Sequence, residues 1–172
     1  MNAMNISSLS DLQGDDLEQL TELLIAVVED GASIGFLPPV GREEAVAYWD
    51  GVMGPDVVLL VARQEGRIVG TVQLHLCGKA NGRHRAEIAK LMTAPACRRQ
   101  GIGRLLMLEA EQQAQVARRT LLVLDTREGD PSNRLYLALG YVQAGIIPRY
   151  AMSANGSLDT TVLYYKETGE TG

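Results

Sequence analysis

The chain reads as an α/β fold, α+β by stricter definition: one mixed, mostly antiparallel sheet with a central parallel strand–helix–strand unit and helices on both faces. Three observations predict it. β-branched and apolar runs at Val57 to Arg63 and Ile68 to Cys77 flank Gln64-Glu65-Gly66-Arg67, the pattern of an antiparallel hairpin. A strand at Arg85 to Thr93, an amphipathic helix from about Ile102 to Arg118 and an apolar run at Thr120 to Leu124 make a right-handed crossover between parallel strands. Finally, 172 residues of which 46% are hydrophobic fit one domain with a full core over about residues 4–166, and no repeat at solenoid periods interrupts it.

The remaining elements follow in chain order. Asn5 to Leu9 is a short first strand, and Asp15-Asp16-Leu17-Glu18 has the form of a capping box opening a helix whose inward face is Leu17, Leu20, Leu24, Val27 and Val28. Gly35, Pro38 and Pro39 forbid a regular helix between Gly31 and Val40, and a substrate-side lid is expected there. A second helix runs from about Arg42 to Val52. Gly78 to Arg83 is a polar loop. The crossover helix carries Ile102, Leu106, Ala110, Ala114 and Ala117 on one stripe. Asp125 to Pro131 reads as a loop, Ser132 to Leu139 as a short helix, and strand material resumes at Tyr141 and ends in Thr161 to Lys166, leaving 167–172 as a loose tail.

Charge and composition exclude several classes of function. Sixteen Lys and Arg against 21 Asp and Glu give a net charge of -5, so neither nucleic acid nor an anionic membrane surface is expected as a partner. No segment approaches about 18 consecutive apolar residues and no basic, apolar leader opens the chain, which points to a cytoplasmic protein. Cys77 and Cys97 show no Cys-x-x-Cys spacing and the two histidines do not cluster, so no metal is expected.

The chemistry concentrates in the stretch Thr93 to Arg104, where a strand runs in and a helix runs out. Pro95 ends the strand. Gly101 and Gly103 let the backbone approach a ligand closely, and the helix beyond presents unpaired N–H groups and its positive dipole end to an anion. Arg98, Arg99 and Arg104 add charge, and Gln100 and Ile102 complete the turn, which is suited to a diphosphate. A dinucleotide fingerprint fails because Leu106 stands where a third glycine or alanine is needed, and a P-loop fails for want of Gly-Lys-Ser/Thr.

This turn resembles the Arg/Gln-x-x-Gly-x-Gly/Ala loop of the GCN5-related N-acetyltransferases, with Arg98, Gly101 and Gly103 on the three signature positions. The resemblance implies acetyl-coenzyme A (acetyl-CoA) as co-substrate, no metal, and a pantetheine arm bonded to the strand backbone along Leu91, Met92 and Thr93. Tyr136-Leu137-Ala138-Leu139-Gly140-Tyr141 is similar to the family's Tyr-x-x-x-Gly-Phe/Tyr segment, which implies that Tyr136 protonates the departing thiolate; its plain alternative is a tyrosine packed on a short helix. The family's frequent asparagine seven residues before that tyrosine is Gly129 here, so a cofactor contact is either absent or supplied by Asn133. Segments Asp30 to Phe36 and Asn81 to Met92 further look like the tabtoxin-resistance type of acetyltransferase, which directs attention to Phe36 and Lys90 in the acceptor pocket.

Two carboxylates are candidates to take the acceptor's proton. Asp125 lies at the carboxyl end of the run Leu121 to Leu124, where open sheets place ligand-binding groups, its alternative being a loop-starting Asp bonded to nearby N–H groups. Glu87 is the second, with a surface ion pair as alternative. His75 is structural or substrate-lining, His84 falls on no catalytic position, and Tyr48 and Trp49 are placed along the acceptor pocket, with core packing as alternative. The resulting expectation is acetyl transfer to a primary amine of a small molecule, amino-acid-like or an antibiotic or toxin. A protein amine as acceptor, or a non-catalytic acyl-CoA sensor, is the alternative. A homodimer is the default assembly for such enzymes.

Overall fold

Leu59 and Val61 face one side of the hairpin strand Val57–Gln64 while Leu60 and Ala62 face the other, and all four are fully buried. The strand is therefore covered on both sides, which accounts for its near-continuous apolar run. The computed structural model describes residues 3–169. Its elements are β1 (Met4–Leu9), α1 (Gly14–Glu29), α2 (Arg42–Asp50), β2 (Val57–Gln64), β3 (Arg67–Leu76), β4 (Arg85–Thr93), α3 (Ile102–Val116), β5 (Leu121–Arg127), α4 (Ser132–Ala138), β6 (Val142–Met152) and β7 (Leu158–Glu167), with a 3-10 turn at Pro95–Cys97. The described strands form one sheet in the order β1-β2-β3-β4-β5-β7-β6. Every neighbouring pair is antiparallel except β4 with β5.

Two apolar layers sandwich this sheet. Leu20, Leu24, Val27 and Val28 of α1, with Ala45 and Trp49 of α2, cover Leu59, Val61, Ile68 and Met92. Ile102, Leu106, Met107, Ala110 and Ala114 of α3 cover Leu60, Ala62, Val72 and Leu74 on the opposite face, together with Tyr136, Tyr141 and Tyr164. Gly70 lets α3 sit this close. A Cβ there would stand 2.8 Å from Ile102 Cγ2 and 3.0 Å from both Leu106 Cδ1 and the Met92 carbonyl oxygen, closer than packed side chains tolerate.

Local expectations fail where tertiary pairing overrides them. No capping box forms at α1: the N-cap is Gln13 without a side-chain bond, Asp15 accepts from Gln19 Nε2, and Glu18 pairs with Arg42 of α2. The apolar run read as 120–124 extends as β5 to Arg127, because β7 pairs with it through Asp125↔Leu163, Thr126↔Val162 and Arg127↔Thr161. The start of the expected tail is also held, by Glu167 in β7 and by the Thr168 N–H donating to Thr120; residues 170–172 lie outside the described residues. No described helix is long and apolar enough to cross a membrane.

Candidate active site

The site originates in a parting of strands. β4 and β5 pair only through Arg85↔Leu121, Ala86↔Leu122 and Glu87↔Val123. Beyond Glu87 the edge of β4 that faces β5 has no strand partner among the described residues, which leaves its backbone groups for a ligand. A bulge adds to the divergence: the β3–β4 register shifts between Thr71 and Gln73, and Lys90 takes a left-handed conformation with φ 58°.

One cavity of about 1020 Å³ fills the wider part of the gap. Its floor is Leu91, Met92 and Thr93, and one wall is the turn Arg98, Arg99, Gly101, Ile102, Gly103 and Arg104. Gly101 is the N-cap of α3 at φ 78°, with no side chain capping the helix, so the first-turn N–H groups are available to an anion. A Cβ on Gly103 would lie 3.4 Å from Leu135 Cδ2, 3.8 Å from Leu91 Cδ2 and 4.0 Å from Thr93 Oγ1, all three residues of the cavity lining. A larger side chain there would enter the space itself. Arg98 pairs with Asp30, whereas Arg99 and Arg104 pair with no carboxylate among the described residues. Met92 and Ile102 bury their side chains in opposite core layers and offer backbone alone. Gln100 is exposed and lines no cavity described here, so its expected cofactor role finds no support in its placement.

A second cavity of about 400 Å³ adjoins the first, sharing Ala32, Leu91, Arg127, Asp130 and Ser132 with it. It brings together Glu87, Lys90, Asp125 and Tyr136 from four separate positions in the sequence. Tyr136 is 6% exposed, with its ring 5.9 Å from that of Tyr141 and 5.8 Å from that of Tyr164, and its hydroxyl has no hydrogen-bond partner among the described residues. Burial chiefly, with the charges of Asp125 and Asp130, holds its pKa well above that of a free phenol, so it keeps its proton throughout the physiological range. Asp125 Oδ2 accepts from Thr161 Oγ1 at 2.6 Å. Lys90 Nζ donates to the Ile34 carbonyl at 2.6 Å, and burial lowers its pKa against the opposing pull of Asp125 and Glu87.

Three further expected site residues, besides Gln100, stand elsewhere. Trp49 is fully buried between α1 and the sheet and donates from Nε1 to the Leu20 carbonyl at 2.9 Å; a large apolar ring on the inner face of α2 packs in the core before it can line a pocket. Phe36 packs edge-on to Tyr48, centroids 5.0 Å apart, and lines none of the cavities. Asn133 is spent inside the fold: Nδ2 donates to the Arg127 and Asp130 carbonyls, both at 2.9 Å, and Oδ1 accepts from Tyr164 OH at 2.7 Å. It therefore braces the loop into α4 and is not available to a cofactor. His75 lies in a bay of about 710 Å³ with Tyr48, Glu87 and Lys90, its Nε2 2.9 Å from Gln73 Oε1. Burial pushes its imidazole toward the neutral form.

The structure adds residues that the sequence reading missed. Arg127, Asp130, Tyr150 and Asp159 line the smaller cavity. The signal available for Arg127 and Asp130 is their position shortly after the apolar run Leu121 to Leu124 of the parallel pair; nothing local marks Tyr150 or Asp159, which the pairing of β6 with β7 carries to the site. Among the described residues no group of three His, Cys, Asp or Glu is arranged to hold a metal.

The sequence model of the Acetyltransferase (GNAT) family matches residues 18–141. An uncharacterized N-acetyltransferase from the hisH-hisA intergenic region of Azospirillum brasilense is 30% identical over 131 residues, 74% of this chain and 78% of that protein. Among solved structures, the ribosomal-protein-alanine N-acetyltransferase of Brucella melitensis superposes with a TM-score of 0.81 at 22% identity, over 95% of this chain and 99% of its own. The Salmonella typhimurium protein yncA, solved with its cofactor acetyl-CoA, gives a TM-score of 0.81 at 20% identity, over 99% and 97% of the two chains.

Proposed function

Because the chain belongs to the Acetyltransferase (GNAT) family, we propose that it transfers the acetyl group of acetyl-CoA directly to the primary amine of a small, amino-acid-like molecule in the cytoplasm. One observation carries this reading: where β4 and β5 part, a cleft with a helix N-terminus and free arginines meets a smaller chamber lined by four carboxylates, Glu87, Asp125, Asp130 and Asp159, and a protonated tyrosine. The residues of the larger cleft fit a pyrophosphate-bearing thioester, since Gly101 and Gly103 leave room and α3 supplies uncapped N–H groups.

When bound, acetyl-CoA supplies the activated acyl group. The protein's part is to hold and to move protons. The unpaired edge of β4 near Met92 offers backbone N–H to the carbonyl oxygen as charge develops on it. Asp125 or Glu87 takes the proton of the amine, whose nitrogen bonds to the acyl carbon as the carbon–sulfur bond breaks. Tyr136 gives its hydroxyl proton to the sulfur. Acceptor and thioester held in adjoining cavities need no covalent protein intermediate.

The chamber of about 400 Å³ supports a small acceptor over a folded protein surface. The test is a panel of amines comprising amino acids, aminoglycosides, diamines and peptides with free N-termini, scored by release of coenzyme A thiol. Turnover of a small amine over the peptides is expected. Turnover of peptides alone would overturn the acceptor class, and acetyl-CoA binding with no turnover of any amine would favour a sensor.

A further inference from the structure

Arg127 is the side chain common to both cavities that also bonds to both flanking walls. It sits at the end of β5, about one-fifth exposed, and lines the cofactor cleft and the acceptor chamber alike. Its guanidinium divides among three partners, one in its own loop and two remote in sequence: Nε donates to Asp130 Oδ1, Nη1 to Ser153 Oγ at the β6–β7 turn, and Nη2 to the Gly31 carbonyl after α1, each at 3.0 Å. Ser153 Oγ in turn donates to Asp159, a residue of the acceptor chamber. All five donors of an arginine lie in one rigid fork, so a single plane can fix three partners at once.

The wall thus held borders the cofactor cleft at Gly31 and Ala32 and the acceptor chamber from Ala32 to Gly35. Ala32, Ser33, Ile34 and Gly35 border the smaller cavity; Lys90 Nζ donates to the Ile34 carbonyl, and Ala32 and Ile34 pack against the apolar layer over the sheet. Because Asp130 takes up the charge of Arg127, the guanidinium is engaged before any ligand arrives. We propose that Arg127 is a positioning residue that sets the 31–35 wall and the β6–β7 turn around the acceptor, and that it acts through the Gly31 carbonyl and Ser153 without contacting the reacting atoms. This rests on the acetyl-transfer reading for its catalytic consequence alone; the clamp on the wall stands apart from it.

The experiment compares Arg127→Gln, Arg127→Lys and Ser153→Ala with the parent by hydrogen exchange, acetyl-CoA titration and kinetics on the amine turned over fastest in the panel. Arg127→Gln is expected to speed exchange of the 31–35 amides at least fivefold and to raise the acceptor KM at least tenfold. The acetyl-CoA Kd should stay within threefold of the parent. Arg127→Lys, which keeps the charge but loses the fork, should lie closer to the glutamine variant than to the parent in exchange. Ser153→Ala should shift the same quantities in the same direction by less, and it serves as the readout should Arg127→Gln not fold. Unchanged exchange at 31–35 would overturn the clamp. Acceptor KM and acetyl-CoA Kd rising equally would instead make Arg127 a cofactor ligand and overturn the assignment. Exchange is measured with acetyl-CoA alone, so a failure to turn over any amine would count against acetyl transfer while leaving the clamp readable.

Discussion

Replacing Tyr136 by Phe removes one oxygen and leaves the ring among Tyr141 and Tyr164, its neighbours at 5.9 and 5.8 Å. The hydroxyl has no partner among the described residues, so no protein hydrogen bond is lost, and a Tm within about 2 °C of the parent is expected, equivalent to under 1 kcal/mol for a chain of this size. Turnover should respond very differently. A positioned general acid contributes about 10²- to 10⁴-fold, or roughly 3–5 kcal/mol of barrier at about 1.4 kcal/mol per tenfold. The assay is thiol release at saturating acetyl-CoA on the best small amine, with acetyl-CoA affinity measured by calorimetry on the same preparation. Loss of kcat by at least 100-fold with Kd unchanged supports the acid. A kcat within threefold of the parent would refute it, and would leave Tyr136 as a packed ring at the base of α4.

Gly103→Val should cost acetyl-CoA binding more than about tenfold while Tm holds, because its Cβ meets no atom closer than 3.4 Å but its methyls extend into the cleft; unaltered affinity in calorimetry would remove the pyrophosphate from this turn. Gly70→Ala should destabilise by about 1–3 kcal/mol, since a Cβ 2.8 Å from Ile102 and 3.0 Å from the Met92 carbonyl oxygen overpacks the contact of α3 with β3. Urea unfolding showing parent-like stability for that variant would contradict the packing described. Tyr136 and Tyr141 both have pKa values raised by burial. An unfolded phenol releases its proton near pH 10 while these folded ones retain theirs, so stability should decline as pH rises past about 10. A double Tyr136→Phe, Tyr141→Phe variant should show a shallower decline, and an identical slope would contradict the shift.

What could be read from the sequence divides along a physical line. The hairpin Val57 to Cys77, the strand Arg85 to Thr93 and the helix after Gly101 are legible because short-range pattern alone decides them: β-branched runs, a Gly-containing turn, a 3.6-residue stripe. The same holds for the arginine-glycine turn, whose chemistry resides in consecutive residues. Asp125 was legible as a residue at a strand end, yet its strand continues to Arg127 because β7 pairs with it, and a partner some 36 residues away leaves no local trace. Trp49 and Asn133 were misplaced for a related reason. A tryptophan on a helix is equally suited to core and pocket, and an asparagine near a loop gives no sign of the carbonyls it will bond; tertiary packing of α2 on α1 and of α4 on β7 chose for both. Gly70 shows the converse, a residue with no motif around it that α3 makes necessary.

On the acetyl-transfer reading proposed above, the gap between β4 and β5 seats one ligand whose pyrophosphate rests on the N-terminus of α3 and whose acyl end reaches the chamber of Tyr136. A crystal structure of the protein with acetyl-CoA measures this directly. Phosphate oxygens are expected about 3 Å from the N–H groups of the first turn of α3, with the thioester sulfur facing the Tyr136 hydroxyl. Density for the pyrophosphate away from that turn, or an acyl group directed out of the chamber that holds Tyr136, would contradict it.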